Sequence, residues 1–111
     1  MNRLDGKIAL ISGAARGIGA ETARVMVEAG ARVIVGDILD DRGRETVRKI
    51  GGDTAAAFQH LDVTSEEDWS AAIGAAVTRW GGLDVLVNNA GMFLGKGIEK
   101  RASTNGTASV P

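Results

Sequence analysis

Three glycines at positions 13, 17 and 19 stand in the stretch SGAARGIG, residues 12 to 19, directly behind the apolar run KIALIS. Each place has its own use. Gly13 lets the chain turn, Gly17 lets backbone amides come close to a pyrophosphate, and Gly19 lets a following helix pack tightly on the strand that precedes it. The helix N-terminus behind the bend adds partial positive charge, so the bend suits a dinucleotide. Glycines serving only a tight turn would read the same in isolation, but a strand before and a helix after are the context that phosphate binding requires. No Gly-Lys-Ser/Thr follows, which excludes a Walker loop. Asp37 ends the second apolar run, near the roughly 20-residue offset at which an acid reads the adenosine ribose hydroxyls. A carboxylate there accepts both hydroxyl hydrogen bonds and repels a 2′-phosphate, which favours NAD over NADP. Asp37 as a cap of the turn after its strand is the alternative reading. Arg16 pulls toward NADP, because a guanidinium in the loop could hold a phosphate; Asp37 ranks higher because it touches the ribose directly.

These residues need elements to position them, and the apolar pattern supplies a series. Residues 7 to 12 read as a buried parallel strand, too short for a helix. Ile18, Thr22, Val25, Met26 and Ala29 fall at steps of three and four, predicting a helix whose apolar side they form and which Gly30 closes. Residues 31 to 37 read as a second strand and 40 to 50 as a helix with Val47 and Ile50 facing inward, weakened by Gly43 and ended by Gly51 and Gly52. Residues 55 to 61 make a third strand. Ser65 then caps a helix that opens with Glu66, Glu67 and Asp68 and runs through a stripe of Trp69, Ala72, Ile73, Ala76, Val77 and Trp80 to Gly81 and Gly82. Residues 83 to 89 give a fourth strand. Strand and helix alternating at this pace predict an α/β fold, a Rossmann-type parallel sheet with flanking helices and right-handed crossovers.

Composition bounds the rest. At 111 residues and 44% hydrophobic, the chain has the make-up of one compact core. Its net charge of −1, with both signs interspersed, sets aside nucleic acid and anionic membranes as partners. There is no cysteine, and His60 is alone, so disulfides, thiolate metal sites and histidine clusters are excluded. A reducing cytoplasm fits. No apolar run approaches the ~18 residues of a membrane span, and the first is shorter than a signal-peptide core.

Taken together, these residues resemble the classical short-chain dehydrogenase/reductase family. The loop has that family's TGxxxGxG spacing with Ser12 in the threonine position; Asp37, then Asp62 and Val63 after the third strand, and NNAG at 88 to 91 follow in order. The resemblance covers residues 7 to 93. It implies that Gly13, Arg16, Gly17, Ile18 and Gly19 line the pyrophosphate, Asp37 and Ile38 the adenosine ribose, Asp62 and Val63 the adenine, and Asn89, Ala90 and Gly91 the ribose beside the nicotinamide. Asn88 would mainly tie neighbouring strands. On residue type alone Asp62 could simply begin the turn into Ser65, and the asparagines could be satisfied turn amides. Trp69 and Trp80 read as core residues, His60 as structural or solvated.

The family's catalytic Tyr-x-x-x-Lys and its serine are missing. The chain has no tyrosine, and Lys96, Lys100, Ser103 and Ser109 lack the partners that the chemistry needs, so no catalytic residue is assigned. Residues 1 to 94 read as an NAD-binding half-domain truncated after its fourth strand. That predicts an unpaired apolar edge, marginal stability, and aggregation or rescue by a partner. Residues 95 to 111 read as an irregular tail; shifting residues 99 to 110 by one base, with suitable codons, yields an amphipathic helix like the one the family carries there, so a frameshift is expected. The function expected is that of an NAD-binding portion of a short-chain alcohol dehydrogenase or ketone reductase, inactive alone. The alternatives are a non-catalytic nucleotide-binding module and an interaction protein that captures a partner strand.

Overall fold

The computed structural model describes residues 4 to 89; Ala90, Gly91 and the tail from residue 95 lie outside the described residues. The four apolar runs form strands β1 (Ile8–Ser12), β2 (Arg32–Asp37), β3 (Ala56–His60) and β4 (Val85–Asn88). All pair in parallel, in the order β3-β2-β1-β4. β1 and β2 occupy the middle and are buried on both faces, which is why they are apolar at consecutive positions. The register sets Ser12 between Gly36 and Asn88, and Asp37 beside His60. Polar groups and glycines therefore gather where all four strands end.

Helices α1 (Gly17–Glu28) and α2 (Asp40–Ile50) carry the first two crossovers and cover one face of the sheet. A single helical turn, α3 (Gly52–Ala55), precedes β3, and α4 (Glu66–Trp80) covers the opposite face. The sequence pattern contains no sign of α3. Gly52, at φ +67°, reverses the chain after α2, and one turn forms before the backbone extends. α1 ends as the glycine predicts: Gly30 takes φ +104°, its N–H donates to the Val27 carbonyl and the Ala31 N–H to the Met26 carbonyl, both at 3.0 Å. At the start of α4 the Ser65 hydroxyl accepts the Asp68 N–H at 3.1 Å, and Gly81 closes the helix at φ +92°.

Two helix faces differ from expectation. α1 turns Gly19 and Ala23 onto the sheet and leaves Ile18 76% and Val25 49% exposed. On α4, Trp69, Ala72, Ala76 and Trp80 face the sheet as expected, but Ile73 and Val77 of the same stripe stay 38% and 49% exposed. Small side chains let a helix lie close on a sheet, and that close approach outweighs the bulk of the larger apolar stripe. Gly43 follows the same logic: it is buried under Phe58, and a Cβ there would run into the ring. That contact offsets the low helix propensity that makes the position look weak in sequence. Among the described residues no helix is long and apolar enough to cross a membrane.

Candidate functional site

The bend after β1 is built from backbone that only glycine adopts comfortably. Gly13 and Gly17 take φ of +66° and +63°, in the left-handed region. Between them the Ala14 N–H donates to the Gly36 carbonyl at 3.0 Å and the Ala15 N–H to Asp37 Oδ2 at 3.0 Å, so the loop is strung to the end of β2. Asp37 Oδ1 accepts the Ile38 and Leu39 N–H groups at 2.7 and 3.1 Å. The carboxylate thus caps the turn into α2 while lining the cleft, so the two readings of Asp37 are not exclusive.

The other side of the bend is tied to β4. Asn89 Nδ2 donates to the Gly13 carbonyl at 3.1 Å, and the Ser12 hydroxyl donates to Asn88 Oδ1 at 3.0 Å. Gly19 lies buried beneath this junction. A Cβ on it would collide with the Gly13 carbonyl and come within 2.8 Å of Asn89 Nδ2 and 2.9 Å of the Ala14 Cα. Tight packing of α1 and the Asn89 tie therefore depend on the same missing methyl.

A cavity of about 540 Å³ opens where these parts meet. Gly13, Arg16, Gly17, Asp37, Asp62 and Asn89 supply its polar lining, and Ile38, Leu39, Leu61 and Val63 its apolar walls. Eight of the residues expected to form a site thus face one space. Ile18 does not line it and points outward on α1; Gly19 supports it from below; Ala90 and Gly91 lie outside the described residues. Leu39 and Leu61 are additional. The available signal for Leu61 is Gly36 on the neighbouring strand: a Cβ at Gly36 would stand 2.8 Å from Leu61 Cδ2, so the leucine crosses the bare backbone to reach the cleft.

Polar geometry sets the electrostatics. α1 begins at the cavity with no side-chain cap and no acid in its first turn, leaving its positive end uncompensated, whereas α4 has Ser65 and three acids. The Thr64 hydroxyl and backbone N–H, at 2.7 and 2.9 Å from Asp62 Oδ1, hold the Asp62 carboxyl below its usual range. His60 Nδ1 lies 2.7 Å from Asp40 Oδ1, and that hydrogen bond raises the proton affinity of the ring against an opposing effect of desolvation. No group of histidine, cysteine or carboxylate side chains among the described residues could hold a metal ion. Flat apolar walls, two carboxylates and a positively polarised helix start suit a molecule with an aromatic ring, sugar hydroxyls and phosphates.

Comparison with known proteins agrees with this arrangement. The model of the short chain dehydrogenase family matches residues 7–109. Trans-4-hydroxycyclohexanecarboxylate dehydrogenase of Sinomonas cyclohexanicum is 51% identical over 88% of this chain and 40% of its own length. The 3-alpha-(or 20-beta)-hydroxysteroid dehydrogenase of Mycobacterium bovis is 51% identical over 92% of this chain and 38% of its own. The chain thus spans about two-fifths of the length of these curated relatives. The fold superposes with a TM-score of 0.71 on the crystal structure of hydroxysteroid dehydrogenase from Escherichia coli, 43% identical over 77% of this chain and 36% of that one. The same score is found for 3-ketoacyl-(acyl-carrier-protein) reductase from Brucella melitensis complexed with NADH, 36% identical over 76% of this chain and 34% of that one. With its glycine bend, parallel sheet and NNAG strand end, the chain belongs to the short-chain dehydrogenase family of oxidoreductases, whose Rossmann fold binds nicotinamide dinucleotides.

Proposed function

We propose that this chain is the cofactor-binding portion of an oxidoreductase that moves hydride between NAD(H) and an alcohol or ketone, with NAD preferred over NADP. The observation that carries the reading is the position of Asp37: its carboxylate lines the same cavity as the Gly13–Gly17 bend. One dinucleotide can reach both, with pyrophosphate against Gly13, Arg16, Gly17 and the start of α1, where Ile18 and Gly19 lie, and ribose hydroxyls on Asp37 beside Ile38. Asp62 and Val63 would flank adenine, and Asn89, with Ala90 and Gly91, the nicotinamide ribose. Bound there, the cofactor would supply the hydride. Relatives whose names specify hydroxysteroid and hydroxycyclohexanecarboxylate dehydrogenases support an alcohol as the reacting group.

A ketone receiving hydride also needs a proton, and the chain's 111 residues include no tyrosine to deliver it. Turnover by these residues alone is therefore not expected, and binding is the property to measure. The domain proposed spans residues 1 to 94, and a cysteine-free composition fits a reducing cytoplasm. β4 pairs only with β1 among the described strands, which favours a second property, association through that edge. Calorimetric titration with NAD and NADP tests the main reading: NAD should bind at least about tenfold more tightly, a difference of roughly 1.4 kcal/mol. A folded protein that binds neither would overturn it.

A further inference from the structure

His60 sits between two carboxylates, Asp40 and Asp68, which do not line the cavity themselves but adjoin the segments that supply its walls. On one side Nδ1 meets Asp40 Oδ1 at 2.7 Å; Asp40 opens α2 and directly follows the wall residues Ile38 and Leu39. On the other side Nε2 lies 3.9 Å from Asp68 Oδ2. The same Asp68 oxygen accepts the Asp62 N–H at 2.9 Å, so it fixes the backbone of the second wall. The two segments, already tied where the Leu61 N–H donates to the Asp37 carbonyl at 2.9 Å, thus meet a second time on one imidazole.

We infer that His60 is a positioning residue: its protonated ring clamps the two walls together, and an adenine dinucleotide therefore binds more tightly when the ring carries its charge. The inference rests on the dinucleotide reading of the cavity. Two effects act in one direction. A protonated ring keeps its hydrogen bond to Asp40 and faces the Asp68 carboxylate as an ion pair at 3.9 Å, whereas a neutral ring that keeps its proton on Nδ1 turns a lone pair toward that carboxylate. Protonation also adds positive charge near a cavity lined by the Asp37 and Asp62 carboxylates, which favours an anionic ligand there.

Three carboxylates act on the ring, those of Asp40, Asp68 and Asp62. Asp40 comes from α2, on which Asp41 and Arg44 pair with each other at 3.8 Å and Arg44 lies over the Phe58 ring at 5.4 Å. β2 contributes Asp37, the register partner of His60, and the β3–α4 loop and α4 contribute Asp62 and Asp68. The Asp40 hydrogen bond, against desolvation and with the charges of Asp40, Asp68 and Asp62, favours the protonated ring. His60 remains half-exposed, so solvent screening keeps the effect modest.

His60 is the only histidine in the chain, so its ring resonances report the clamp without ambiguity. NAD affinity of the full chain should be about threefold tighter near pH ~6 than near pH ~8.5. By reciprocity, saturating NAD should move the His60 titration to higher pH. His60→Gln should flatten the affinity profile, and Asp40→Asn should move the titration of the free protein to lower pH. NAD binding that is independent of pH, with a His60 titration unmoved by ligand, overturns the clamp and leaves the cavity reading intact. An unmoved titration in Asp40→Asn overturns it as well. Absence of NAD binding at every pH overturns the functional reading, and the clamp with it.

Discussion

The Asp37 carboxylate and the Ala15 amide, 3.0 Å apart, join the end of β2 to the bend that follows β1. This bond makes one side chain responsible for both the shape of the cleft and the chemistry of its floor.

Asp37→Ala should therefore affect folding as well as binding. It leaves the buried Ala15 N–H without its acceptor, together with the Ile38 and Leu39 amides, at a cost of about 1–3 kcal/mol for the buried group. Thermal unfolding followed by circular dichroism checks the loss, and NAD titration of the fraction still folded checks the ribose assignment. An unchanged melting temperature would mean that the carboxylate is not the structural tie described.

Gly19→Ala and Gly74→Ala should have opposite signs. At Gly19 the new methyl meets the Gly13 carbonyl and the Asn89 amide, an overpacking that costs about 1–3 kcal/mol and displaces the Asn89 tie. Gly74 lies within α4 with open space around its Cβ direction, so alanine there should stabilise by about 0.5–1 kcal/mol. Urea denaturation of the pair measures both.

Helix faces offer a third contrast. Val25→Gln and Val77→Gln change exposed positions and should alter stability by no more than about 0.5 kcal/mol. Ala23→Leu and Ala76→Leu push bulk between helix and sheet and should cost about 1–3 kcal/mol. The reverse order would restore the large apolar stripes as the inner faces.

Ser65→Ala removes the oxygen that accepts the Asp68 N–H and should cost α4 about 1 kcal/mol. Because Asp68 also holds the Asp62 amide, exchange of the Asp62 N–H with solvent should accelerate in the same variant.

Two titrations bound the stability profile. His60 has a raised pKa, so its contribution is fully present below the pKa of the unfolded chain and is lost as pH rises through the folded value. Asp62 has a lowered pKa, so its contribution is present above the unfolded value and is lost as pH falls through the folded one. The melting temperature of His60→Gln should converge on that of the parent as pH rises through the histidine range, and that of Asp62→Asn as pH falls through the carboxylate range.

Local signals in the sequence carried much of this molecule. Continuous apolar runs marked β1 and β2 because a central parallel strand is covered on both faces. Ser65 with its three acids marked the start of α4, and Gly30 and Gly81 marked helix ends, because capping needs nothing beyond neighbouring backbone. Of the cleft, the glycine bend, Asp37, Asp62 and Asn89 were legible from residue type and order along the chain. Leu39, Leu61 and α3 were not, since each depends on a neighbour contributed by another segment or on a reversal of direction.

Tertiary structure decided how far each buried helix face extends and what the polar groups touch: Val47 and Ile50 of α2 and Trp69, Ala72, Ala76 and Trp80 of α4 face inward as their spacing predicts, whereas Ile18, Val25, Ile73 and Val77 do not. The gap between helix and sheet admits glycine and alanine at closest approach, so Gly19 and Ala23 went in on α1, and on α4 the stripe narrowed to its alanines and flanking tryptophans. A carboxylate or imidazole, in turn, takes its partners from segments distant along the chain: Asp37 from the bend after β1, His60 from α2 and α4. Those partners exist only once the parallel register has brought the strand ends to one side of the sheet.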